Sequence, residues 1–165
     1  PDSKVLIILR DPIDRCWSNY KFSVNNGVEN REFVDAINDS KNNKNYAEIS
    51  VNPFLYIQRG FYDEYLMRVF DIFNKKNIKV LIFEEFICSS KNLNNLFEWL
   101  NLDKIHICKN LFHKKYNKTH DSSLSKDLRY LLALKYYESI LRLENLLEKK
   151  INPWREAWKD NEIDL

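Results

Sequence analysis

The stretch "KVLIILRDPIDRCWSNY", Lys4 to Tyr20, decides the fold. Val5–Leu9 is a short run of Val, Ile and Leu closed by a proline turn, the pattern of a strand buried on both faces. Asp11 is a good helix N-cap, Pro12 suits the first helical position, and Asp14 stands where the third residue of a capping box belongs. The sequence therefore predicts strand, tight turn, then helix from Pro12 to about Val24. That arrangement sets Arg10 at the carboxyl end of a strand and Ser18 close to two turns into the helix.

Working outward, a second short helix is expected from Arg31 to about Ser40, followed by a polar loop over 40–45. Tyr62, Tyr65, Leu66, Val69, Phe70 and Phe73 recur at helical spacing, which predicts an amphipathic helix over Phe61–Phe73 with Gly60 at its N-terminal boundary. Ile78–Phe83 reads as a second buried strand. A helix from Lys91 to Leu100, capped by Ser89 or Ser90, follows it. Residues 101–122 read as irregular, and a long helix runs from about Ser125 to Lys149. Strand, helices, strand, helix is an α/β order with right-handed parallel crossovers. Two parallel strands alone make a poor sheet with two open edges, so further strands upstream or from a partner chain are expected. An open edge also makes self-association an expectation.

The chain has 165 residues, 44% of them apolar, enough for one domain with a real core. It holds 26 basic and 24 acidic residues, a net charge of +2, too small to argue for nucleic acid as a bulk partner. Any anion site must be local. No apolar run is long enough for a transmembrane helix, and no secretory leader opens the chain at Pro1. Cys16, Cys88 and Cys108 form no C-x-x-C pair, so a disulfide framework or zinc site is not expected and a reducing, cytoplasmic compartment is favoured. A Golgi lumen fits if the parent is eukaryotic with an upstream anchor. His106, His113 and His120 are spaced by seven, which lacks recognisable metal-ligand spacing, so no metal is expected.

Ligands of open α/β sheets bind beyond the carboxyl ends of the strands, where Arg10 is expected. A phosphate there could take a forked bond from Arg10 and a hydroxyl bond from Ser18. Asp11 and Asp14 occupy the helix N-terminus, so its dipole is not the main attraction. The same residues also fit a plain helix start, with Asp11 and Arg15 as a surface ion pair at i, i+4. Glu84 and Glu85 end the second strand and fit catalysis, helix capping or a structural ion pair. Trp99, Trp154 and Trp158 read as packing anchors.

"LRDPIDRCWSNY" resembles the 3′-phosphate-binding segment of sulfotransferases that use 3′-phosphoadenosine 5′-phosphosulfate (PAPS). The flavour is that of the heparan-sulfate N-sulfotransferase-like and bacterial members. "REFVDAIND", "RGFYDEYLMRVF", "IKVLIFEEF", "LNNLFEWLNL" and "LSKDLRYLLALKYYESILRLENLL…INPW" extend the resemblance over nearly the whole chain, with Asn101 where glycine is common. The resemblance implies a P-loop-like three-layer α/β/α fold. It implies Arg10 and Ser18 as 3′-phosphate ligands, with PAPS or adenosine 3′,5′-bisphosphate as the nucleotide. It also implies a basic loop at Lys114 and Lys115 closing over that nucleotide, and Tyr56, Arg59 and Tyr62 near the cleft that takes a carbohydrate or other hydroxyl or amine acceptor. The family's 5′-phosphosulfate loop and general base lie upstream of this motif, so the resemblance implies a catalytic base upstream of Pro1. The only glycines, Gly27 and Gly60, form no such loop, so the chain is expected to be the C-terminal two-thirds of the domain, with little activity alone. The alternative is a non-catalytic α/β module derived from the same fold. A nucleotide kinase would need its own glycine-rich loop and magnesium ligands, which the sequence also lacks.

Overall fold

The computed structural model describes residues 3–38, 52–87, 90–103 and 123–159. Strand β1 (Val5–Leu9) pairs in parallel with strand β2 (Ile78–Ile82), Val5 opposite Ile78 and Leu9 opposite Ile82. These two form the only sheet among the described residues. The chain is thus α/β, helix-rich, with an incomplete parallel sheet, as the element order predicts. The burial expected of the two strands is corrected: β2 is only partly buried apart from Ile82. β1 is not buried on both faces: Leu6 and Ile8 are 40% and 52% exposed while Leu9 is buried. No described element covers that face, so its side chains alternate in exposure as on a half-buried strand.

Helix α1 (Pro12–Asn25) starts as expected, with Asp11 Oδ1 accepting from the backbone N–H groups of Ile13 and Asp14 at 2.8 and 3.0 Å. The reciprocal arm of the capping box is not Asp14. The Asp11 N–H donates to Glu84 Oε1 at 2.9 Å, and Asp14 pairs with Arg129 at 2.8 Å. Nor does Arg15 pair with Asp11, whose second oxygen accepts from Trp158. Helix α2 is Phe33–Asn38, starting two residues later than expected, and helix α3 is Tyr62–Ile72. β2 ends one residue early because Phe83 opens a short helix, α4 (Phe83–Phe86). Helix α5 (Ser90–Leu100) closes on Asn101, at φ 60°. Leu102 N–H bonds back to Phe97 O and Asn101 N–H to Glu98 O, a Schellman end in which asparagine takes the left-handed place usual for glycine.

Helix α6 (Lys126–Leu147) is capped by Ser125 and ends on Glu148 at φ 52°, two residues short of the expected end. It packs on α3 and α1, burying Leu132, Tyr136, Ile140 and Leu143 completely. Buried Asp63 ties α3 to α6 by accepting from Ser139 Oγ and, at 2.7 Å, from Arg142 Nε. Glu144 then sets the turn into helix α7 (Asn152–Lys159). It accepts the Ile151 N–H at 2.8 Å and the Arg155 guanidinium, whose Nε lies 2.8 Å away.

Helix α7 delivers two fully buried indoles to the strand ends. Trp158 Nε1 donates to Asp11 Oδ2 at 2.6 Å, just past β1. Trp154 Nε1 donates to Glu84 Oε2 at 2.8 Å, just past β2. Glu84 is therefore structural. Glu85 pairs with Lys149 at 2.5 Å, the structural ion pair that its sequence position also fits. Trp99 serves the opposite end of the sheet, with Lys4 Nζ and Lys79 Nζ over its ring at 5.1 and 5.7 Å.

Burial pushes the Asp11 carboxyl up to about 6, against smaller opposing effects of its hydrogen bonds and of Arg129. Its proton is held more tightly in the folded than in the unfolded chain. Asp11 therefore lowers stability as pH rises from about 4 to about 6. Glu29 works in the opposite sense. Hydrogen bonds from Arg31 hold it down at about 2, so its contribution is present above its ordinary range and lost as pH falls toward 2. Urea unfolding from pH 4 to 7 should show Asp11→Asn gaining about 2–3 kcal/mol on the wild type across the Asp11 window, beyond any constant offset. Parallel profiles for the two proteins would contradict this. Trp158→Phe should cost about 3 kcal/mol at pH 7, from the unmet carboxylate and the cavity left behind.

Candidate functional site

A cleft of about 750 Å³ opens where β1 gives way to α1. Arg10 enters it as the first residue past β1. Arg15, Ser18, Asn19 and Phe22 line it from one stripe of α1, and Arg59 and Tyr65 line it from the 3₁₀ turn Gln58–Gly60 and α3. Three guanidiniums thus face a common space, and no carboxylate lines it among the described residues. Arg10, Arg15, Ser18 and Arg59 are all half-buried.

Two side chains of α1 hold the opposite wall. Arg15 Nη2 donates to the Tyr56 carbonyl, and Asn19 Nδ2 donates to the Pro53 carbonyl at 3.1 Å. From the other side, the Tyr136 hydroxyl of α6 donates to Ile57 O at 3.1 Å. Arg59 is itself tethered by Nη2 to Asn52 O at 2.7 Å. Gly60 lies close against Tyr136, where a Cβ would meet Cε1 at 2.6 Å. The glycine is needed for this close approach, which fixes where Arg59 leaves the turn.

Among the described residues the cleft lacks a counter-ion. Burial and the neighbouring Arg15 charge both lower the Arg59 pKa from its ordinary value, so the two guanidiniums repel each other. Arg15 Nε is buried without a hydrogen-bond partner. Such a cluster is stabilised by an oxyanion, since guanidiniums stay charged and present forked donors.

Of the residues singled out in the sequence, Arg10, Ser18 and Arg59 meet in this cleft. Tyr56 and Tyr62 do not reach its surface. Tyr56 is fully buried with its hydroxyl on Glu29 at 3.1 Å, and Tyr62 is buried with its hydroxyl on the Arg10 carbonyl at 2.9 Å. They are framework, and Tyr62 braces the backbone that carries Arg10. Lys114, Lys115, the three histidines, Cys88 and Cys108 lie outside the described residues. So does Pro1, and with it the expectation of a general base upstream of that residue; no described residue of the cleft takes the place of that base. No group of acidic, histidine or cysteine side chains able to hold a metal occurs among the described residues. Cys16 is buried and its thiol is pushed up to about 11 by burial, which rules it out as a nucleophile near neutrality. Tyr65 joins the site from α3, and Arg15, Asn19 and Phe22 join it from α1, none of them expected there from the sequence. The spacing of the α1 residues with Ser18, at 15, 18, 19 and 22, is the available signal, one helical stripe of polar residues closed by a phenylalanine.

Gly60→Ala should cost about 1–3 kcal/mol by overpacking against Tyr136 and should displace Arg59. Thermal unfolding and a sulfate titration together check it. Unchanged stability would mean that the turn has room the structure denies it.

No family model matches the chain. Carbohydrate sulfotransferase 15 of Rattus norvegicus is 23% identical over 116 residues, covering 62% of this chain and 21% of that protein. Its counterpart from Mus musculus is 22% identical over the same coverage. Among solved structures, a sulfotransferase from Alicyclobacillus acidocaldarius superposes with a TM-score of 0.76 at 24% identity, covering 94% of this chain and 58% of that one. The chain therefore spans about a fifth of the curated relatives and somewhat over half of the bacterial structure. No helix among the described residues is long and apolar enough to cross a membrane. The chain is similar in sequence to sulfotransferases and carries the sulfotransferase fold over the part that it spans.

Proposed function

We propose that this chain supplies the nucleotide 3′-phosphate site of a PAPS-dependent sulfotransferase, with Arg10 and Ser18 as the phosphate ligands. The observation that carries this reading is the meeting of Arg10 and Ser18 in one cleft at the carboxyl end of a parallel strand. That cleft is rich in guanidiniums and, among the described residues, free of lining carboxylates. Arg10 offers a charged fork and Ser18 a hydroxyl. In such a reaction the acceptor oxygen or nitrogen attacks sulfur while the bond from sulfur to the 5′-phosphate oxygen breaks, and a base takes the acceptor proton. Arg10 and Ser18 hold the far end of the donor. By keeping the adenosine 3′-phosphate in place they fix the sulfur in line for attack. Neither the base nor the donors to the leaving 5′-phosphate are assigned to a cleft residue; on this reading both come from outside residues 1–165.

Calorimetric titration with adenosine 3′,5′-bisphosphate, against adenosine 5′-monophosphate, tests the reading. Selective binding is expected, weakened at least about tenfold in Arg10→Ala and less in Ser18→Ala, because losing a charged hydrogen bond costs about 1.5–3 kcal/mol. Turnover of labelled PAPS by the chain alone is expected to be slight. Equal affinity for the two nucleotides in a folded sample would remove the 3′-phosphate assignment and favour a non-catalytic module.

A further inference from the structure

Arg10 enters the cleft from the single position between β1 and the cap of α1. Among the described residues its guanidinium makes no hydrogen bond or ion pair. It lies 5.9 Å from the Phe83 ring, a contact that attracts the charge without fixing the direction of the fork. The aim of the side chain therefore depends on its backbone. The peptide group joining Arg10 to Asp11 is planar, so holding both of its polar ends holds the plane. Both ends are held. The Arg10 carbonyl accepts from the Tyr62 hydroxyl at 2.9 Å, and the Asp11 N–H donates to Glu84 Oε1 at 2.9 Å.

Tyr62 is in turn held by Arg15. The Arg15 guanidinium hydrogen-bonds to the hydroxyls of buried Tyr62 and Tyr136, and its Nη2 donates to the Tyr56 carbonyl. These donors go to α3, to α6 and to the 52–60 turn, although Arg15 also lines the cleft. A guanidinium only donates, so the Tyr62 hydroxyl accepts from Arg15 and gives its own proton to the Arg10 carbonyl. Such a chain is polarised along its length, and the charge at its head strengthens the last bond. Burial raises the Tyr62 pKa, so the phenol keeps the proton that it donates.

We propose that Arg15 and Tyr62 are positioning residues for the 3′-phosphate: they clamp the Arg10–Asp11 peptide against Glu84 and so aim the Arg10 fork at the seat it shares with Ser18, without touching the nucleotide. This rests on the proposed function for what binds at Arg10 and Ser18. The stretch from Arg10 to Ser18 then holds three different duties: Arg10 and Ser18 bind, Asp11 caps, and Arg15 aims.

Calorimetry with adenosine 3′,5′-bisphosphate on Tyr62→Phe, Arg15→Lys and the double variant tests this, with the Arg10 Nε–H signal followed by NMR. Tyr62→Phe removes one oxygen and should weaken binding about three- to tenfold while displacing the Arg10 signal of the free chain. Arg15→Lys keeps the charge and loses the fork, and should weaken binding to a similar degree. The double variant should lose little more than either single one, because both cut the same chain. Tyr20→Phe is the matched control: the Tyr20 hydroxyl also donates to a backbone carbonyl, Arg31 O at 2.8 Å, and Tyr20 does not line the cleft. It should lower thermal stability and leave nucleotide affinity as in the wild type. If Arg15→Lys does not fold, Tyr62→Phe against Tyr20→Phe carries the test. Wild-type affinity in Tyr62→Phe would overturn the proposal. Losses that multiply in the double variant would overturn it too, because Arg15 would then act on the nucleotide directly. An equal loss in Tyr20→Phe would do the same, since a general loosening would explain both. Should the wild-type chain bind no nucleotide, the proposed function fails and the free chain decides. An Arg10 signal displaced in Tyr62→Phe and Arg15→Lys, and unmoved in Tyr20→Phe, upholds the positioning; a signal unmoved in all three sinks it.

Discussion

Two indole–carboxylate hydrogen bonds, one buried and one partly buried, fasten the last helix to the strand ends. Trp158 on Asp11 and Trp154 on Glu84 join the last helix to the carboxyl ends of both strands. The Asp11 N–H on Glu84 closes the set, so each strand end is bonded to the other and to α7. The carboxylates need these donors because a buried acceptor without a partner costs about 1–3 kcal/mol, and more when it is charged. The indoles need them for the same reason. Asp11 also caps α1 with its other oxygen, so one side chain fixes where the strand stops, where the helix starts and where α7 docks.

The cleft depends on that junction. Arg10 is the residue between β1 and the cap, and its carbonyl is braced by the Tyr62 hydroxyl. Once Asp11 is fixed, α1 is launched in one direction, and the stripe of Arg15, Ser18 and Asn19 faces the 52–60 segment. That segment is held by side chains from α1 and α6 that reach its carbonyl groups. Backbone hydrogen bonds within the turn, from Tyr56 N–H to Phe54 O and from Gly60 N–H to Ile57 O, shape it locally. Those tertiary hydrogen bonds and the close contact of Gly60 with Tyr136 help set its position. The site is built from a rigid edge, the strand end, and from a turn that is positioned by the helices on either side. Three guanidiniums with no lining carboxylate among the described residues are stable there only at some electrostatic cost. An oxyanion removes that cost.

Much of this is legible in the chain. The β1 run, the Asp-Pro helix start and the apolar stripe of α3 are local patterns, and they fold as local rules say. Asn101 in the left-handed place is likewise a local substitution for glycine. What cannot be read is long-range. The partner of the Asp11 N–H is Glu84, 73 residues away, and no spacing near Asp11 announces it. Tyr56 and Tyr62 read as candidates for a binding surface but are consumed by Glu29 and the Arg10 carbonyl, contacts fixed only by the packing of distant segments. Spacing alone suggests Arg15 as a partner for Asp11. In the fold both Asp11 oxygens are occupied elsewhere, which frees Arg15 for the cleft. The exposure of Leu6 and Ile8 is hidden for a related reason: a run of apolar residues records what a strand can bury and not what is present to cover it.

The most direct test is a crystal structure of the chain with adenosine 3′,5′-bisphosphate bound. The account predicts the 3′-phosphate within hydrogen-bond distance of the Arg10 guanidinium and Ser18 Oγ, with Arg15 and Arg59 still tethered to the 52–56 wall. A 3′-phosphate seated on Arg15 and Arg59, or bound outside the cleft, would contradict it.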